Sequence, residues 1–395
     1  MKQQFLFIVA SRGLSSVLNA VIFIWLGRLV GVELVGVLGI VTSVTALVFL
    51  VADFGMSTFI SRERARGNTH DVSVALRFNF LSTLAFGVVV TVVAAVLAGL
   101  QVIPWAVLLL GLAAAFEKNT ETTLSVPIAD KHKLTPAVNI FLRRAFALAA
   151  FGACVLLGAD PVWAFCGGTA AAAVAGQLHI RQWMRGRISA ARSASNDELR
   201  AVAARAWPFF VSNVTAGARQ LDTPIVGLFT SAYVAGLYAA STRVLNPFRL
   251  IPSTLTSVVV PHASRLGASS ARRTALKIGV VFIGTLVILI PASFFSEWFI
   301  VLLMGADFAG AGQIFAVMLV GLPFIALAPP LGSILQSQGH EKFVGRNGTI
   351  FAIVTVLAVA AGAIVGGGIG AAVGLSASYL GKCISLAWRI HSRLR

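Results

Sequence analysis

Apolar blocks of about twenty residues recur from one end of this chain to the other, and they restrict its fold more than any motif does. A helix that crosses a bilayer needs about 20 mostly apolar residues. By that criterion twelve segments qualify, near 6–30, 35–60, 74–99, 103–127, 135–158, 161–181, 205–229, 233–260, 277–303, 311–336, 343–365 and 367–390. Charged residues are 11% of the 395, against about 25% in a soluble globular protein. Recurrence along the whole length excludes a lone signal peptide or single anchor. In lipid each backbone polar group must be satisfied within its own segment or by closure, so spans of this length are helices. The expectation is an all-α polytopic membrane protein of about twelve helices.

The formal charge of +17 suggests nucleic acid at first sight, but its distribution excludes that partner. Lys and Arg gather in alternate gaps: "SRERARGNTHD", "DKHK", "RQWMRGRISAARSASNDELRAVAAR", "SRLGASSARRTALK", "GHEKFVGR" and the terminal "RIHSRLR". The intervening gaps, such as "GLQVI", "TSAY" and "MGADFAG", are poor in both, with Arg28 beside Glu33 the main exception. Basic gaps face the cytoplasm, so both termini are expected there. The longest polar gap, 182–204, reads as a cytoplasmic linker between an N-terminal half, 1–181, and a C-terminal half, 205–395, of six helices each. Within it "SNDEL" signals the cap of a short surface helix. The halves are expected to be related: at an offset of 200, Gly27 meets Gly227, Gly36 meets Gly236, Thr42 meets Thr242 and Val44 meets Val244. A parallel repeat of this kind belongs to transporters.

Charges inside the blocks are the candidates for chemistry, because a charge at bilayer depth faces a cavity or a partner. Arg219 and Asp222 sit three apart in "SNVTAGARQLDTPIVGLF" and project from one helix face. They form either an ion pair fastening the seventh helix or an anion contact with its positioning or ion-coupling acid. Arg243 and Arg249 flank "LNPF", where Pro247 interrupts a helical hydrogen bond; each either lines a cavity or snorkels to a surface. The fourth span concentrates Glu117, Lys118, Asn119 and Glu121, with Lys118 placed to neutralise Glu121. Arg12 lies two turns into the first span. Arg143 and Arg144 open the fifth, Arg144 at headgroup level. Asp53 reads as structural, a cap or a partner of Arg62 or Arg64.

Several chemistries are missing. There is no G-x-x-x-x-G-K-[ST] loop for ATP. The six histidines are scattered over span ends and loops with no metal spacing, and Cys154, Cys166 and Cys383 all fall in apolar blocks. No metal and no cofactor are expected, and no catalytic residue. "VGGGIGAAVG", 365–374, reads as tight turning and close helix packing.

Four stretches carry a resemblance. "GLFTSAYVAGLYAASTRVLNPFRLIPSTLTSVVVPHASRL", 227–266, is similar to the seventh-to-eighth-helix region of polysaccharide flippases. "MGADFAGAGQIFAVMLVGLPFIALAPPLGSILQSQGHEK", 304–342, resembles their tenth-helix region, and "WLGRLVGVELVGVLGI" with "ADFGMSTFISRERAR" fits their N-terminal pattern. The chain thus resembles the O-antigen-type polysaccharide branch of the multidrug/oligosaccharidyl-lipid/polysaccharide exporter superfamily. That resemblance implies two pseudo-symmetric, MATE-like halves in the cell (inner) membrane. It also implies alternating access that flips a polyprenyl-diphosphate-linked oligosaccharide to the outer leaflet. Lipid-linked oligosaccharide, membrane lipids and other polysaccharide-assembly proteins are the implied partners.

Guanidinium stays charged and binds phosphate through a bidentate fork. On this reading Arg219, Arg243, Arg249, Arg12, Lys118 and Arg143 bind substrate. Asp222, Glu117 and Glu121 are the acids placed to take a coupling H+ or Na+. A multidrug exporter of the same superfamily is the main alternative, and an acidic interior would favour it. A membrane glycosyltransferase or polymerase would need a larger outer loop, and a purely structural scaffold would not explain the buried charges.

Overall fold

The computed structural model describes residues 2–188, 194–249 and 268–393, so the end of the eighth expected span, 250–260, and His262 lie outside the described residues. Every regular element among them is helical. In chain order these are α1 (Lys2–Asp53), α2 (Met56–Ala65), α3 (Thr69–Gly99), α4 (Leu108–Thr123), α5 (Ser125–Ala129), α6 (Leu134–Leu156), α7 (Pro161–Met184) and α8 (Asn196–Gly217). There follow α9 (Asp222–Phe229), α10 (Ala232–Leu245), α11 (Ala268–Gly284), α12 (Leu286–Ser293), α13 (Ser296–Met304), α14 (Ala311–Ser337) and α15 (Glu341–Arg393). Among the described residues six stretches are long and apolar enough to cross a membrane by length and composition: 7–53, 69–99, 134–156, 270–293, 311–337 and 341–393.

The first and last of these are each about two spans long, and glycine divides them. Gly31 (φ 78°) breaks α1 between the first two expected spans, and Gly366 with Gly367 (φ 58°) breaks α15 between the last two. A side chain at either positive φ would be strained, so these are the places where a nearly continuous helix can turn. The second expected span, 35–60, is not one helix. It ends at Asp53, turns through Phe54 and Gly55, and resumes as α2. The fourth breaks at Leu124, where Leu124, Ser125 and Val126 are all buried, and the seventh breaks in a 3-10 turn, Ala218–Leu221. Irregular backbone at membrane depth is tolerated where protein covers it.

"SNDEL" does cap a helix, through a reciprocal box. The Ser195 backbone N–H donates to the Glu198 carboxylate at 2.7 Å, and the Glu198 N–H donates to the Ser195 hydroxyl at 3.1 Å. Donation to the carboxylate from the Ser195 backbone N–H first, and from the Ser195 side chain, holds the exposed Glu198 carboxyl below its ordinary value. The helix is not a short surface one, however: it is the start of α8, a 22-residue helix whose later part, 205–217, lies in the seventh expected span.

The chain divides into two compact units, Met1–Ile22 with Val41–Gly217, and Phe23–Ile40 with Ala218–Arg395. In the first, Met56, Phe59 and Ile60 of α2 pack on Val72 and Ala75 of α3 and on Ile180 of α7. Phe54, at the turn after α1, stacks on Phe210 of α8 with centroids 4.5 Å apart. The second unit is built around α14, whose Ile314, Phe315 and Met318 are almost wholly buried among Tyr238, Leu245, Phe308 and Leu375.

Lipid tails are as apolar as leucine, so close backbone approach, rather than the hydrophobic effect, holds helices together in a membrane. In the second unit a Cβ on Gly36 would strike the carbonyl of Ala232, and one on Gly236 would strike the carbonyl of Val32. The contact is reciprocal at the offset of 200 noted in the sequence. Arg28, the exception to the charge pattern, lies in the same unit and donates through Nε to the Leu303 carbonyl at 2.7 Å and through its other nitrogen to Leu302. It satisfies carbonyls at the end of α13 that the helix itself leaves open. Along α3, Val88, Val89, Val92, Val93 and Val96 are 51–58% exposed, a patch stable against lipid and not against water.

Candidate functional site

The polar residues of α4 do converge in the first unit. Glu117 is held by the guanidinium of Arg144 and lies 3.4 Å from Nη1 of Arg143, which is 7% exposed. Lys118 Nζ stands 3.8 Å from Asp53 and 3.9 Å from Glu121. Asp53 is fully buried and accepts hydrogen bonds from the Thr122 hydroxyl and, at 3.2 Å, from Ser57. Around this core Asn79 donates to Asn119 at 2.9 Å, Thr120 donates to Gln177 at 2.7 Å, and Asn139 donates to the Gly176 carbonyl at 2.9 Å.

Three cations, Lys118, Arg143 and Arg144, therefore face three carboxylates, Asp53, Glu117 and Glu121. The cluster is close to neutral, and burial favours it that way: an unpaired charge there costs several kcal/mol. Two of its members were read differently in the sequence. Asp53 has neither Arg62 nor Arg64 as partner. Arg62 pairs with Glu63, and Arg64 makes a two-pronged contact with Asp130 at 2.7 and 3.0 Å. Arg144 serves Glu117. Its adjacency on α6 to Arg143, the other partner of Glu117, was the available signal.

Arg12 does not join the cluster. It is exposed on α1 and makes no hydrogen bond or ion pair to a described residue.

The second unit holds the other candidates. The 3-10 turn before α9 places Asp222 at that helix's first position, 9% exposed, where Oδ1 accepts the Thr223 N–H at 2.7 Å and its hydroxyl at 3.4 Å. A carboxylate there meets the positive end of the helix dipole. Arg243 is half-buried on α10, with its guanidinium 5.0 Å from the Phe23 ring centroid. That contact keeps its charge planar against an aromatic face. The backbones of Arg219 and Arg249 lie in 3-10 turns; their side chains fall outside the described residues. The charged residues of 206–249 are Arg219, Asp222, Arg243 and Arg249, three cations to one acid. Among the described residues no three His, Cys, Asp or Glu side chains are grouped to hold a metal.

A family model described as polysaccharide biosynthesis protein matches residues 25–312. No curated protein matches the chain. Among solved structures, the fold is similar to that of the lipid II flippase MurJ in an inward closed conformation (TM-score 0.69, 15% identity, covering 98% of this chain and 88% of that one). It is also similar to an inward-facing multidrug resistance MATE family transporter of the MOP superfamily (0.67, 15%, 96% and 94%). A MOP superfamily transporter from Pyrococcus furiosus is a third (0.65, 12%, 99% and 95%).

Proposed function

The chain belongs to the polysaccharide biosynthesis protein family, and from that premise we propose that it flips a polyprenyl-diphosphate-linked oligosaccharide from the cytoplasmic to the outer leaflet of the cell (inner) membrane by alternating access. The observation that carries this reading is the contrast between the two charge groups. The cluster of the first unit is neutralised internally, whereas 206–249 carries three arginines against one acid. An arginine excess at membrane depth suits a diphosphate and repels the organic cations of a multidrug exporter.

Arg219, Arg243 and Arg249, all in the second unit, are the primary diphosphate contacts of this reading. In the first unit Arg12, Lys118 and Arg143 are further candidates for substrate, Lys118 and Arg143 by exchanging carboxylate for phosphate. Each charge-assisted contact contributes about 1.5–3 kcal/mol. Arg243→Ala is therefore expected to weaken substrate binding roughly ten- to a hundredfold in a reconstituted flipping assay. Wild-type transport of small organic cations, with no lipid-diphosphate flipping, would place the protein with the drug exporters instead.

Both termini and the 182–204 linker face the cytoplasm, where other polysaccharide-assembly proteins meet it. Single cysteines introduced in 194–204 and at exposed Ser231, which caps α10, should label from opposite sides of the membrane; labelling from one side would refute this orientation.

A further inference from the structure

A cavity of about 360 Å³ opens inside the first unit between α3, α4 and the C-terminal end of α7. It shares no residue with the contacts assigned above to the oligosaccharide diphosphate. Asn119 and Gln177, 6% and 4% exposed, line it. The carbonyl ends of both are already occupied, by Asn79 and by the Thr120 hydroxyl. Their amide ends, Nδ2 and Nε2, have no hydrogen-bond partner among the described residues and are not sealed from the cavity. Buried amide N–H groups without acceptors are costly, and a pocket that presents them is shaped for something that accepts.

At the α7 end, exposed Arg181 and Arg185 also line the cavity, and neither has a carboxylate partner among the described residues. Arg181 is steadied over the Phe80 ring, 5.5 Å from its centroid. No acidic residue lines the cavity, while Phe80 and Met184 give it apolar walls. Two cations and two buried donor amides with no competing carboxylate in the lining select a multiply charged oxyanion. Guanidinium pairs match phosphate in geometry as well as charge.

We propose that this cavity is a binding site for a phosphate-bearing ligand. Its apolar walls favour a phospholipid headgroup carrying the start of its chains, and a free phosphoryl compound shares the same recognition chemistry. No residue of this cavity is among those assigned to the diphosphate or to ion coupling, so binding of these probes can be scored apart from flipping.

The test uses delipidated full-length protein. Native mass spectrometry measures retention of dioleoyl phosphatidate against dioleoyl phosphatidylcholine, and thermal shift measures protection by inorganic pyrophosphate. Gln177→Glu keeps the acceptor that Thr120 needs and replaces the free donor by negative charge; Asn119→Asp does the same for Asn79. The wild type is expected to retain phosphatidate at least tenfold better than phosphatidylcholine, and either variant to lose that preference. Arg181→Ala/Arg185→Ala, at exposed positions, should lose it as well. Protection by pyrophosphate without phosphatidate retention, abolished by the same changes, would keep the site and assign it to free phosphoryl compounds. Failure of the wild type to bind either probe, or binding unaltered by these substitutions, would overturn the proposal.

Discussion

At the residue scale, the α4 cluster shows how a membrane protein keeps charge at depth. Glu117 and Glu121 sit one turn apart, but only Glu117 is gripped by two arginines; the Glu121 side chain is half exposed and has one distant lysine. The two should differ sharply in cost. Glu117→Gln leaves Arg143 and Arg144 without a counter-charge in a mostly buried site and is expected to lose about 3 kcal/mol of stability. Glu121→Gln removes a weak, partly solvated pair and should lose less than about 1 kcal/mol. Thermal unfolding of both variants in one detergent checks the pair, and equal losses would mean that Arg143 and Arg144 have other support.

Elements here are defined by where helices are interrupted as much as by where they run. The turn after Asp53 and the 3-10 turn before Asp222 each divide what hydropathy reads as a uniform segment, and Gly31 bends α1 between two such segments. Close approach between elements depends on glycine in the same way. Gly236→Ala would drive a methyl group into the Val32 carbonyl and should cost about 1–3 kcal/mol through overpacking. Gly279 on α11 is the control, since nothing lies within 4 Å of its added Cβ. There the change should be neutral or stabilising by up to about 1 kcal/mol. Comparable destabilisation at both sites in a thermal melt would remove the argument from packing.

For the whole molecule, movement without a nucleotide site needs an ion gradient, the membrane potential or consumption of product outside. Asp222 is the acid we assign to a coupling H+ or Na+, because it stands at a helix start beside the arginine-rich stretch. Glu117 and Glu121 are secondary candidates, Glu117 the weaker because its arginines already hold it. Asp222→Asn is expected to retain lipid binding and to lose any dependence of flipping on the gradient. Proteoliposomes with imposed pH or sodium gradients read this directly. Wild-type gradient dependence in the Asn variant would leave Asp222 a structural residue.

What the sequence alone determined is the class of fold: twelve apolar stretches and sparse charge leave a chain no alternative to membrane-spanning helices. The glycine run 365–374 marked the turn at Gly366 and Gly367, and the 200-residue offset picked out Gly36 and Gly236, which do meet. Hydropathy could not show which charge answers which. Pairing in space depends on neighbours far apart in the chain: Asp53 reaches Lys118 and Thr122 of another helix, and its nearby arginines turn to Glu63 and Asp130. The cavity walled by Asn119, Gln177 and Arg181 had no sequence signal either. Its donors come from separate helices, and only packing decides which end of an amide is used and which is left open.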